Sequence, residues 1–406
     1  MGTILAKAYC IDQKSLDFCV HTPVRMLKPK VAIVHEWFVD HSGSEKVLEQ
    51  MLYVFPEADL FAIVEFLPDH LKGFIQNKPV KTTFIQKLPF ARTKYRNYLP
   101  LMPLAIEQLD VSAYDVVISN SHAVAKGVIT NSNQLHICYC HSPMRYAWDL
   151  YHQYLRESGL DRGLKGFFAK AILHYLRGWD LSTVNRIDHF IANSNYIAAR
   201  IKKVYDREAG VIYPPVDVEK FGLCMDKEDF FLTASRFVPY KKIDLIVQAF
   251  TQMPNQQLYV IGEGPDFKKV HQIAKGYDNI QLLGFQSQEK LEGYMKRAKA
   301  FIFAADEDFG IIPVEAQACG TPVIAYRRGG SLETVKEGLS GVFFDKQSVG
   351  SIGTAVENFL MKEKQFDPTA IRKHAEQFSV ARFREEVRRF VLEKINKPGV
   401  HEDITL

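Results

Sequence analysis

The sequence predicts an α/β fold of two domains, each built on a parallel sheet and joined by a short hinge. Its length, a repeated alternation of apolar runs with helix-period segments, and a proline pair near the middle carry that reading. The 406 residues exceed the ~250–300 at which a single hydrophobic core stops growing. From Val31 onward short apolar runs alternate with helical segments, the pattern of βαβ units around a parallel sheet. The clearest runs are 31–35 (VAIVH), 115–119 (DVVIS), 135–140 (LHICYC), 188–193 (DHFIAN), 257–262 (QLYVIG), 300–304 (AFIFA) and 322–326 (PVIAY). At 213–221 the sequence YPPVDVEKF breaks the pattern, because two prolines disfavour helix and remove backbone donors.

Taken in order, residues 1–29 form an N-terminal extension of mixed sequence, without the apolar core of a secretion signal. Residues 30–213 make the first domain, 214–222 the hinge and 223–377 the second domain. Ile243, Ile246, Val247 and Phe250 fall at helical spacing, as do Leu291, Tyr294, Met295 and Ala298, so each set predicts a helix covering one face of a sheet. The stretch 378–396 carries Phe383, Val387, Phe390, Val391 and Ile395 among charges, one apolar stripe on an amphipathic helix. Residues 397–406 read as a tail.

Composition narrows the function classes. Lys and Arg outnumber Asp and Glu by 51 to 47, too small a margin to bind nucleic acid by charge alone. Six cysteines (Cys10, Cys19, Cys138, Cys140, Cys224, Cys319) are dispersed, without paired CxxC motifs, which argues against a zinc site or a disulfide framework and fits a reducing cytoplasm. No window of about twenty apolar residues is present, so no membrane span is expected.

The strongest chemical feature is AADEDFGIIPVEAQACGT, residues 304–321. A strand ends at Ala304, a loop holds Glu307 to Ile311, and Pro313 suits the first turn of a helix that stops at Gly320. Glu307 then sits at a strand's carboxyl edge and Glu315 in the opening turn of the helix, where ligands bind in open α/β sheets and free N–H groups favour phosphate. One carboxylate suits the hydroxyls of a sugar and the other those of a ribose, while the backbone of Phe309, Gly310, Ile311 and Ile312 can approach closely between them. Either Glu alone reads equally well as a helix-dipole partner or a solvated loop residue; the pair with glycine and proline between is far more specific.

SRFVPYKK at 235–242 follows an apolar run and precedes the helix from Ile243. Arg236 and Lys241 flank that turn and can reach one diphosphate, Arg by a fork and Lys as a point charge; the alternative is surface charge on a loop. In the first βα turn, HEWFVDHSGSEK, Gly43 lets backbone come near a phosphate or an acceptor, although turns use glycine anyway, and Asp40 is a weaker acceptor candidate. In CHSPMRY at 140–146, His141 is placed to face the cleft, either as a ligand to the transferred sugar or as a structural hydrogen-bonder. Gly262-Glu263-Gly264 lacks the third glycine of a dinucleotide fingerprint, and no GxxxxGK[ST] loop exists. Asp306-Glu307-Asp308 resembles a metal-binding DxD, but its place beside the Glu pair favours direct sugar contact.

In this order the elements resemble the retaining GT-B glycosyltransferases of family 4, over roughly residues 30–395. The resemblance rests on Glu307-x7-Glu315 with Phe309-Gly310 between, Arg236-x4-Lys241, IGEGP at 261–265, and the run ending YPPVD. It implies two Rossmann-like domains facing across a cleft, with the C-terminal helix packing back toward the first. It assigns Arg236 and Lys241 to the donor diphosphate, Glu307 and the Phe309–Ile312 amides to the donor sugar, Glu315 to the ribose, and His141 to the donor sugar from the first domain. Glu263 and Leu283–Phe285 lie where such enzymes cradle the nucleoside. CHSPMRYAWD at 140–149 is similar to WbaZ-like mannosyltransferases of bacterial O-antigen and exopolysaccharide assembly, which implies a GDP-mannose donor and a lipid-linked acceptor. UDP-glucose or UDP-GlcNAc as donor, or a nucleotide-sugar-binding protein without catalysis, are the competing readings. His41-Ser42-Gly43-Ser44 stands where many relatives carry two adjacent glycines, which weakens the phosphate role of Gly43.

The family mechanism retains configuration without a metal or other cofactor, by front-face attack, with Glu307 as nucleophile left open. The segment 81–104 interleaves Lys81, Lys87, Arg92, Lys94 and Arg96 with Phe84, Phe90, Tyr95 and Tyr98. It suits an anionic membrane surface or a lipid diphosphate, or equally cations lying over a packed helix face. A cytoplasmic protein, peripheral on the inner face of the membrane, is the expectation.

Overall fold

The computed structural model describes residues 29–395. Residues 1–28 of the expected extension, with Cys10 and Cys19, and residues 396–406, with the expected tail, lie outside them. The first sheet holds β1 (Val31–Phe38), β2 (Asp59–Glu65), β3 (Val80–Thr82), β4 (Val116–Ser121), β5 (Leu135–Cys140), β6 (His189–Ala192) and β7 (Ala209–Val211), in the order β3-β2-β1-β4-β5-β6-β7. The second holds β8 (Phe231–Ala234), β9 (Leu258–Ile261), β10 (Ile280–Gly284), β11 (Ala300–Phe303), β12 (Val323–Tyr326) and β13 (Gly341–Phe344), in the order β10-β9-β8-β11-β12-β13. Neighbouring strands pair in parallel throughout both sheets.

The strands are apolar on both faces because helices cover both. Along β1, Val31 and Ile33 join a core with Val47, Leu48 and Met51 of helix Gly43–Val54, while Ala32 and Val34 join a core with Met102, Ala105, Leu173 and Leu176 on the other side. β1 continues three residues past the expected end at His35, through Glu36, whose buried carboxylate accepts from Ser121 Oγ and the amides of 122–125 at 2.7–3.1 Å. An acid inside a strand hides that extension from an apolar pattern. In the second domain, helices Ile243–Phe250 and Val349–Lys362 pack on Phe231, Val260 and Ile302, and helix Ile311–Ala318 lies on the opposite face with Phe301 and Val323.

Val216 bridges Ser379, and its N–H donates to Phe378 O at 2.9 Å, so the segment after Pro214 and Pro215 runs beside the returning chain. Helix Val380–Ile395 then buries Phe383, Val387, Val391 and Ile395 in the first-domain core, the return that the resemblance implied. No helix among the described residues is long and apolar enough to cross a membrane.

Candidate active site

Each sheet reverses its strand order once, between β1 and β4 and between β8 and β11. Ligands bind in open α/β sheets outside the carboxyl ends of the strands at such points. The turn with Gly43 follows β1 and His141 follows β5; Arg236 and Lys241 follow β8, and Glu307 follows β11. A cavity of about 790 Å³ lies between the two sets, within the usual range of a small-molecule site. Gly43, His141, Arg236, Lys241, Glu307, Phe309, Gly310, Ile311, Ile312 and Glu315 all line it.

Lys241 closes a 3-10 turn, Pro239–Lys241, and its Nζ pairs with Glu307 Oε1. Burial and the neighbouring positive charge of Arg145 pull this ammonium down to about 8, and the Glu307 carboxylate opposes that loss of charge. Arg236 is exposed to the cavity and makes no ion pair among the described residues, so it is free to fork onto an anion. Phe309 is buried against Tyr213 and Phe378, ring centroids 5.7 and 5.5 Å away, so its side chain anchors the loop where the chain crosses between domains. Gly310, at φ 85°, caps helix Ile311–Ala318 in a conformation that favours glycine. Glu315 is the fifth residue of that helix, one turn deeper than the opening turn expected, because the glycine rather than a later residue starts it.

Three expected donor residues stand apart from the cavity. Glu263, Leu283 and Phe285 do not line it; Glu263 Oε1 accepts from Phe285 N at 3.4 Å, and the Phe285 ring is 76 % exposed. The glycines around Glu263 serve packing instead. A Cβ on Gly262 would lie 1.8 Å from Ser235 O and one on Gly264 2.4 Å from Phe237 O, so this loop buttresses the backbone that carries Arg236. The segment 81–104 begins in β3 and continues from Phe84 as successive short helical turns rather than one helix. Lys81 lies over Phe61 and Lys94 over Phe90 at 4.9 and 5.7 Å.

The three adjacent acids diverge. Asp306 pairs with Arg328 at 3.0 Å, Glu307 with Lys241, and Asp308 with Arg145 at 3.3 Å and Arg200 at 2.8 Å. Both Asp308 pairs cross the cleft, and spacing gave no sign of them. Ser194 Oγ also donates to Asp308 O at 2.6 Å, Lys46 reaches Glu315 Oε1 at 3.0 Å, and Glu333 accepts from the amides of Asn195 and Tyr196 at 2.7 and 2.9 Å. Glu333 of the second domain thereby satisfies the open N–H groups of first-domain helix Asn195–Tyr205. Asp308→Asn removes one of the two carboxylates, with Asp149, that pair with the buried Arg200; thermal unfolding is expected to show a loss of about 1–3 kcal/mol.

Gly330 supports the acid loop from below. Its N–H donates to Glu307 O at 2.8 Å, and an added Cβ would lie 2.2 Å from Phe309 Cα. Gly330→Ala must therefore push the backbone between Glu307 and Gly310. Steady-state assays are expected to show kcat/KM lowered by at least about 10-fold, since small misplacements at a reacting site are costly.

Two parallel-sheet domains meeting across a cleft are the GT-B architecture, and here cations and acids line the cleft. Residues 63–220 match the family model "Glycosyltransferase Family 4" and residues 217–378 match "Glycosyl transferases group 1". The D-inositol 3-phosphate glycosyltransferase of Mycolicibacterium smegmatis is 28 % identical over 223 residues, covering 49 % of this chain and 51 % of that protein. The GDP-mannose-dependent alpha-(1-6)-phosphatidylinositol monomannoside mannosyltransferase of the same organism is 28 % identical over 196 residues, 41 % of this chain and 51 % of its own length. The chain thus spans about half the length of the curated relatives it matches. Anabaena HepE, solved with UDP and glucose, superposes with a TM-score of 0.66 at 16 % identity, over 90 % of this chain and all of that one. Adjoining glycosyltransferase domains, family 4 and then group 1, are thus matched over residues 63–378, on the GT-B fold.

Proposed function

We propose that this protein is a retaining hexosyltransferase that moves mannose from GDP-mannose to a lipid-linked glycan in bacterial surface polysaccharide synthesis. One observation carries the reading: Arg236, Lys241, Glu307 and Glu315 line one cavity opposite His141. Arg236 and Lys241 neutralise the donor diphosphate, Glu307 and the 309–312 backbone hold the sugar, and Glu315 takes the ribose hydroxyls. Glu263 with Leu283 and Phe285 forms a neighbouring patch for the base. In the reaction the bond from the anomeric carbon to the diphosphate oxygen breaks, and the acceptor hydroxyl attacks on the same face. Its proton passes to the departing diphosphate, which leaves as GDP. Arg236 and Lys241 supply the charge that a metal ion would otherwise bring, so no metal is required. The mannosyltransferase relative supports the donor; the UDP and glucose bound to HepE favour a UDP-sugar as the second reading.

A membrane-surface acceptor is supported by helix Gly163–Ser182, where Leu164, Phe167 and Phe168 are 80, 66 and 63 % exposed beside Lys165 and Lys170. An apolar stripe with flanking cations suits an anionic lipid surface, here the cytoplasmic face. Phe167→Ser with Phe168→Ser is expected to cut sedimentation with phosphatidylglycerol vesicles by at least about 10-fold; unchanged sedimentation would remove this surface from the reading. Thermal-shift screening with GDP-mannose, UDP-glucose and UDP-GlcNAc, then transfer assays with the anomer read by proton NMR, tests the donor. GDP-mannose giving the largest shift and an α-linked product is expected. No shift with any of the three, or an inverted product, would overturn it.

A further inference from the structure

Behind His141, away from the cations and acids of the cleft, buried polar side chains form a continuous chain. Glu45 on helix Gly43–Val54 accepts from His35 Nε2 at 3.0 Å, and both side chains are nearly or wholly shut off from solvent. The other Glu45 oxygen accepts from Ser42 N, Ser42 Oγ and Ser44 Oγ at 3.2, 2.7 and 3.0 Å. Burial opposes both charges, but the hydrogen bond and charge of Glu45, with Glu36 nearby, hold the His35 imidazole above its ordinary pKa, and His35 holds Glu45 below its own. The two form an imidazolium–carboxylate pair.

An imidazolium donates from both nitrogens. Nδ1 of His35 accordingly donates to the main-chain oxygen of Asn120 at 3.2 Å. The Asn120 amide nitrogen, 3.1 Å from that same Nδ1, finds no lone pair there and donates to Ser44 O at 2.9 Å. That leaves Asn120 Oδ1 facing His141 Nε2 at 2.7 Å. A carbonyl oxygen only accepts, so Nε2 carries the proton. Burial, with His122 and His35 as like-charged neighbours, pushes His141 down to about 3, so the ring is neutral and holds a single proton. Its Nδ1 is then a bare acceptor on a ring that lines the cavity, with no partner among the described residues.

We propose that Asn120 is a positioning residue, oriented by the buried His35–Glu45 pair, that holds His141 as the Nε2–H tautomer so that Nδ1 accepts a hydrogen bond from a sugar hydroxyl. The inference rests on the sugar-transfer reading for the identity of the ligand, but the tautomer belongs to the free protein and is measured without turnover. His141 in this role orients and does not act as a general acid.

Long-range proton–nitrogen correlation spectra of histidine-labelled protein, assigned with His141→Asn, read the tautomer directly. A protonated Nε2 with an unprotonated Nδ1 is expected in the wild type, and the reverse would overturn the proposal whatever the enzyme transfers. Asn120→Leu is expected to give mixed tautomers and to lower kcat/KM about 10–100-fold, largely through KM for the donor, with the fold retained by circular dichroism. Glu45→Gln provides the same readout with Asn120 in place, should the leucine variant not fold. His141→Asn, whose amide oxygen can stand where Nδ1 was, is expected to keep at least about 5-fold more kcat/KM than His141→Gln, which mimics Nε2. An unmoved tautomer and unchanged kinetics in both Asn120→Leu and Glu45→Gln, or equal activity of the two His141 variants, would equally overturn it.

Discussion

Lys241→Ala is expected to lower kcat/KM for the nucleotide-sugar by about 10²–10³-fold, because in the proposed reaction it removes a preorganised cation from the place where charge develops on the leaving group. Its Nζ lies in the cavity beside Glu307 and under the influence of Arg145. The ammonium is the required form, and burial brings its pKa to about 8. The sign is therefore fixed: kcat/KM holds at neutral pH and falls as pH rises through about 8, and that alkaline limb disappears from the low residual activity of the variant. A profile flat to pH 10 in the wild type would remove Lys241 from the diphosphate site. Circular dichroism is expected to show the fold retained, since the side chain contributes to a cavity wall and not to a core.

Glu307→Ala is expected to be at least as damaging to kcat, by about 10³-fold, because the carboxylate holds Lys241 in place and, in the proposed reaction, also meets the sugar. Glu307→Gln separates the two roles. It keeps the shape and hydrogen bonds but withdraws the negative charge that favours the Lys241 ammonium, so the alkaline limb of kcat/KM moves to lower pH. A limb that stays where it was in Glu307→Gln would show that the pair is not coupled. Steady-state kinetics over pH 6–10 on the three proteins makes the comparison.

Much of the fold is legible in the sequence because buried parallel strands are simple apolar runs. The runs at 135–140 and 300–304 fall on β5 and β11 with little error. β3 and β7, with three residues each, are too short to carry a pattern, and the Glu36 extension of β1 is masked by its own acid. In the site, spacing relative to strand ends locates Arg236, Lys241, Glu307 and His141, since the carboxyl end of a strand at a switch point has a fixed place in the fold. Spacing does not report partners. Lys241 with Glu307, Asp308 with Arg200, Lys46 with Glu315 and Asn120 with His141 join distant parts of the chain, the middle two across the cleft. For the same reason the sequence did not show that Glu263 and Phe285 contact each other outside the cavity shared by the rest.

Lys46 on Glu315 has a further consequence. The carboxylate that the resemblance gives to a ribose already holds a first-domain ammonium, so a bound donor would share or displace that contact. A donor seated there would link nucleotide binding to the approach of the two domains through one side chain.

The most direct measurement is calorimetric titration of GDP-mannose into the wild type and into Arg236→Ala, Lys241→Ala and Glu315→Ala. One-to-one binding in the wild type, weakened by at least about 10-fold in each variant while all three keep the wild-type fold, is the expected result. Undiminished binding in all three would contradict the convergence of these residues on a single donor site.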